Sequence, residues 1–105
     1  MTHKINIPNS SALLLVSVLA SPGWAKTIED IIVGGSLLVE VFGKFEPKKT
    51  DDDKLDPAWL DETSDWELTE KQRDGCKRAI NSTIADKKMP VAKTSYFLVK
   101  AFGLE

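Results

Sequence analysis

The sequence predicts an all-α fold: a small bundle of about three helices with an acidic, loop-rich connection, formed after removal of an N-terminal signal peptide. Three observations lead there. Apolar residues recur at i, i+3, i+4 and i+7 in separate stretches, residues that start and stop helices bracket those stretches, and an early apolar run has the layout of a secretory leader.

The leader is expected over residues 1–25. Lys4 lies in a polar start, Ala12–Ala20 form a short apolar run, and Ser21, Pro22 and Gly23 break it before a small-x-small cleavage site at Gly23-Trp24-Ala25. The run falls well short of the ~20 residues that span a bilayer. No cysteine stands at the expected cleavage region directly after it, so lipoprotein attachment is not indicated. The mature chain, residues 26–105, is then exported to the periplasm or secreted as one small domain. A domain of that size buries only about 60% of the surface its unfolded chain exposes.

Thr27–Gly43 is the expected central helix. Ile28, Ile31, Ile32, Gly35, Leu38, Val39, Phe42 and Phe45 share one face at helical spacing. Thr27 fits the N-cap with Asp30 three residues on, Gly43 fits the stop, and Glu40 and Lys44 form a favourable i, i+4 pair. The competing reading is a hairpin turning at Gly34-Gly35, because the flanking residues are rich in β-branched side chains. Val33, Leu37 and Val41 line nearly the opposite side of the helix. The rest of the mature chain offers cover for one face only. Val33, Leu37 and Val41 are therefore expected to stay partly exposed and to form a binding or self-association surface, while Gly35 admits a neighbouring helix; the competing reading is a central helix wrapped on all sides by its own small domain.

Residues 46–63 read as an acidic connection. From Glu46 to Asp74 there are eleven acids and five bases, a local charge of −6, whereas residues 75–105 carry six bases and two acids, a charge of +4. The two halves can neutralise each other within the fold. Asp51, Asp52, Asp53 and Asp56 do not follow the EF-hand pattern of alternate carboxylates, a sixth-position glycine and a closing glutamate. Asp56-Pro57 can start a short helical turn presenting Trp59 and Leu60, and Ser64 with Glu67 repeats the capping-box spacing around Trp66.

A second helix is expected from about Glu70 to Asp86, capped by Thr69 with Gln72, its narrow apolar side formed by Cys76, Ala79, Ile80, Thr83 and Ile84. Cys76 is the one cysteine. It is either a small buried hydrophobe or, in an oxidising compartment, one half of an intermolecular disulfide. Asn81-Ser82-Thr83 matches a glycosylation sequon but lies inside this helix. The last helix, near residues 94–103, puts Phe97, Leu98, Ala101 and Phe102 on one face, and Gly103 ends it with Leu104 folding back on Val99.

Several chemistries are excluded. The only histidine, His3, falls in the expected leader, so the mature chain lacks the base for Ser-His or Cys-His catalysis and the ligands of ordinary zinc sites. There is no GxGxxG or GxxxxGK[ST] loop, and the basic half lacks interleaved aromatics for nucleic acid. No catalytic group, cofactor or metal is expected. What remains is an exported, non-catalytic protein-binding protein, of inhibitor, immunity or accessory type. Its partner is another protein or a second copy, with no nucleic acid and no integral membrane span. The alternatives are peripheral contact with the envelope membrane and a homodimer linked through Cys76.

Overall fold

A computed structural model describes residues 2–104, and in them the chain is mixed α/β. The elements in order are β1 (Thr2–Pro8), α1 (Asn9–Ala20), α2 (Ile28–Ser36), α3 (Pro57–Asp61), β2 (Thr63–Thr69), α4 (Glu70–Ala85) and α5 (Lys93–Ala101). A π turn over Leu37–Val41 continues α2. The expected helices are present, but the all-α bundle is not: 54% of the residues are helical and 16% lie in strands.

The strands explain the correction. β1 and β2 pair antiparallel from Thr2↔Thr69 to Pro8↔Thr63. Both alternate with the two-residue period of a half-buried strand. Ile5 and Ile7 point into the core opposite Trp66 and Ser64, and Leu68 does so opposite His3. On the outer face Lys4 meets Glu67 at 3.7 Å, and the Asn6 side-chain amide donates to Asp65 at 2.7 Å. The Ser64–Glu67 spacing thus belongs to a strand, not to a helix start.

Residues 2–25, expected as a leader, are built into this fold. α1 is packed against α4 and α5, and its Ala12 and Leu15 have no exposed surface. The Asn9 amide donates to Trp59 O at 2.9 Å, its backbone N–H donates to Glu62 O at 2.7 Å, and Ser11 Oγ donates to Thr94 O at 2.9 Å. These bonds fix the start of α1 between α3 and α5. Trp24, in the loop after α1, is buried beneath α2 with its indole N–H donated to Leu19 O at 2.9 Å.

The core is one cluster. Ile5 and Ile7 of β1, Leu68 of β2, Leu15 and Leu19 of α1, Val33 and Leu37 from the α2 region, Cys76 and Ile80 of α4, and Leu98 with Phe102 at the end of α5 all belong to it. Helix ends follow sequence closely. Thr69 accepts from the Gln72 backbone N–H at 3.1 Å while the Gln72 side chain accepts from the Thr69 N–H at 2.9 Å, a complete capping box. Gly103 (φ +66°) closes α5 with the paired bonds of a Schellman motif, Leu104 N–H to Val99 O and Gly103 N–H to Lys100 O, both 3.0 Å.

Candidate functional site

The α2 segment starts as its sequence implies. Thr27 Oγ1 accepts the Asp30 N–H at 3.1 Å, and the Asp30 carboxylate reaches back to the Lys26 N–H at 3.2 Å and across to Arg78 of α4 at 2.9 Å. The Lys26 N–H, then the Arg78 guanidinium, hold the Asp30 carboxyl below its ordinary pKa against the opposing effect of burial. This pair fixes the rotation of α2 on α4.

That rotation reverses the expected sidedness. Val33 and Leu37 are in the core at 7% and 0% exposure, and Val41 is half-buried at its edge. The row left in solvent is Ile28, Ile31, Ile32 and Val39, at 77%, 63%, 65% and 74%. The cause lies in residues outside the helix. Gly75 makes a notch in α4: a Cβ there would come within 2.6 Å of Val33 Cγ1, so α4 accepts Val33 closely. Trp24 fills the space over Gly34, where a Cβ would meet its ring at 2.9 Å. The close approach expected at Gly35 therefore occurs at Gly34 and Gly75 instead, and Gly35 itself is exposed with nothing within 4 Å of an added Cβ.

The π turn splits the expected apolar face in two. The Phe42 N–H bonds to Leu37 O, five residues back, at 2.9 Å, and the extra residue in that turn shifts the helical phase of the residues after it. Phe42 then points inward at 4% exposure, against Trp66 at a ring separation of 4.6 Å. Phe45 bridges Trp66 and Trp59 at 5.1 and 5.4 Å. Ile28, Ile31, Ile32 and Val39 receive no such cover.

Cys76 lies on the inner side of α4 with no exposed surface, and burial pushes its thiol pKa up to about 12. The folded chain does not present this sulfur to a second molecule.

A cleft of about 480 Å³ lies between the end of α1 and the end of α4. Ser17, Ser82, Thr83, Asp86 and Lys88 line it over Trp24. Thr83 Oγ1 donates to Ala79 O at 2.9 Å. Among the described residues no hydrogen bond joins a cleft hydroxyl to Asp86 or Lys88, so no nucleophile–base pair is assembled. The loop carrying Asp51, Asp52 and Asp53 is a small turn held by Thr50 N–H to Lys54 O at 2.8 Å, and these three carboxylates are exposed. Among the described residues no three His, Cys, Asp or Glu side chains gather as a metal site, and no helix is long and apolar enough to cross a membrane.

No protein-family model, curated protein or solved structure matches the chain.

Proposed function

We propose that this protein is a non-catalytic docking protein that receives an apolar helix of another polypeptide on the outer ridge of α2. The observation that carries the reading is the row Ile28, Ile31, Ile32 and Val39, each more than 60% exposed on a helix whose other side is packed tightly. Exposing four large aliphatic side chains in one row is unfavourable for an isolated chain, and such a patch ordinarily marks an interaction surface. A helix is the fitting occupant because Ile28, Ile31, Ile32 and Val39 are exposed along one side of a helical segment, the kind of apolar face that another amphipathic helix packs on. Glu29 and Glu40 stand exposed beside it, which disfavours the anionic lipid headgroups that basic flanks would attract.

The docking form keeps residues 2–25. Export with cleavage after Ala25 would remove β1, α1 and Trp24, on which α2 rests, so a processed chain would not carry this ridge in this form. The cell compartment in which the protein docks is then one where the uncleaved chain folds.

A photoreactive residue placed at Ile31 tests the reading in the producing cell. A covalent adduct to a polypeptide is expected from Ile31 and not from Lys54, which is also exposed, in the acidic loop. Absence of an adduct, or equal adducts from both positions, would overturn it.

A further inference from the structure

We propose that the Ala25–Lys26 amide is a processing site, open to a membrane-bound leader peptidase before the chain folds and closed by folding. The inference does not depend on what docks on α2.

The fold leaves part of the composition of α1 unexplained. From Ile5 to Ala25 there is no acidic or basic side chain, in a sequence of which 29% is charged. A helix packed on a core along one side ordinarily carries charge on the other. α4 does so, with Glu70, Lys71, Arg73, Asp74, Lys77 and Arg78 among its sixteen residues. α1 meets the core through the buried Ala12, Leu15, Val18 and Leu19, yet its half-buried Leu13, Leu14 and Val16 are apolar too. Packing does not require that surplus. An export machinery does, because it reads a short uncharged apolar run in a chain that is still unfolded. The run ends at Ser21-Pro22-Gly23, and Gly23 with Ala25 sets small residues at the two positions a leader peptidase reads.

Folding withdraws both parts of that signal. Ala12 and Leu15 lose all exposure, and Val18 and Leu19 keep 4% each. The segment to be cut is tied down on either side of Ala25. Trp24 is 5% exposed, with its ring over Gly34 and its indole N–H donated to Leu19 O at 2.9 Å. The Lys26 N–H belongs to the amide to be cut, and it donates to the Asp30 carboxylate at 3.2 Å, which is bound in turn to Arg78 at 2.9 Å. A peptidase acts on backbone it can draw free, so cleavage here follows opening of the fold. Hydrolysis consumes one water, breaks the bond between the Ala25 carbonyl carbon and the Lys26 nitrogen, and leaves a carboxylate on Ala25 and an ammonium group on Lys26. The order of events then sets the fate of each chain. One that folds first keeps residues 2–25 in its core; one that reaches the membrane unfolded is cut.

Expression of the full chain in a bacterium tests this, with the ratio of cleaved to intact chain read by immunoblot and the new terminus by mass. The cleaved chain should begin at Lys26. Its share should rise at least threefold in Leu98→Asp, which opens a fully buried position of α5 and leaves residues 1–25 unaltered. Ser17→Arg, at a position exposed in the folded chain, should leave the circular dichroism spectrum unchanged and remove cleavage from the Leu98→Asp background, because a charge then interrupts the apolar run. Purified chains give the comparison free of cellular degradation: detergent-solubilised leader peptidase should cut Leu98→Asp after Ala25 at least tenfold faster than the wild type. No cut after Ala25 in purified Leu98→Asp, equal rates from the two purified chains, or cleavage in the cell indifferent to Ser17→Arg would overturn the proposal.

Discussion

Removing residues 1–25 should unfold or rearrange the remainder of the chain, and the expected size of the effect comes from the packing. The segment supplies β1, α1 and Trp24, and among its buried side chains are Ile5, Ile7, Leu15, Val18 and Leu19. Deletion also spares the chain the entropy of ordering those residues, so the relevant loss is what the deletion uncovers on the rest. β1 and α1 lie against β2, α4, α5 and the π turn, whose Leu37, Leu68, Ile80, Leu98 and Phe102 are fully buried. Uncovering about half of each of these five, at ~1.5–3 kcal/mol per fully buried side chain, costs about 4–8 kcal/mol. A domain of this length has only about 5–15 kcal/mol in total. β2 would in addition lose its only strand partner among the described residues. Urea unfolding monitored by circular dichroism, for the full chain beside residues 26–105, measures the difference. The full chain should unfold in one cooperative step, and the shortened chain should show a broad, weak transition and fast amide exchange in α4. A shortened chain that unfolds cooperatively at the same midpoint would refute the reasoning.

Three further outcomes are expected. Ellman's reagent should modify Cys76 no faster than the chain opens, because burial both blocks the sulfur and raises its pKa to about 12; complete reaction within minutes in native buffer would contradict its placement. Gly75→Ala should destabilise by about 1–3 kcal/mol, since its Cβ would press to 2.6 Å from Val33, while Gly35→Ala, which meets nothing, should stabilise by up to about 1 kcal/mol; thermal melts giving the two the same sign would count against the rotation assigned to α2. Asp30→Asn should lower stability at neutral pH, with the difference from wild type fading in acid. The Asp30 pKa is held down in the folded chain, so its contribution is full above the ordinary carboxylate value of about 3.9 and is lost as pH falls through the lower folded value. Urea midpoints at pH 7 and pH 3 measure this, and a gap that persisted in acid would argue against the Arg78 pair.

The parts of the fold written locally were readable. Thr27, Thr69 with Gln72, Asp56-Pro57 and Gly103-Leu104 each satisfy backbone groups within four or five residues of themselves, and each does so in the structure. What escaped depends on distant residues. Lys4–Ile7 and Asp65–Leu68 do alternate polar and apolar, and Lys4 with Glu67 are opposite in charge. Each run is only four residues long, however, and neither reads as a strand until the other, some sixty positions away, is set beside it. The early apolar run carries both readings in its own residues, because an apolar helix ended by proline and glycine looks the same in a core as in an export segment.

The candidate surface was legible as a segment but not as a side. α2 is apolar almost all round, so its own residues cannot say which row faces the core. The choice is made by a notch at Gly75, by the bulk of Trp24 and by the Asp30–Arg78 pair, all of which involve residues distant from or preceding the helix. The π turn then separates Phe42 from the row it joins in an ideal helix. A small residue on the inner side of α4 facing a β-branched one on α2 was the available clue.

Single introduced cysteines and their reaction with a small thiol reagent test the placement of the ridge most directly. Ile31→Cys and Ile32→Cys, at positions 63% and 65% exposed, should react in the native chain as open thiols do, whereas Val33→Cys and Leu37→Cys, at 7% and 0%, should react no faster than the chain opens, with the buried Cys76 silent in all four. Equal rates from the two rows, or faster reaction at Val33→Cys than at Ile32→Cys, would contradict the side of α2 assigned to solvent.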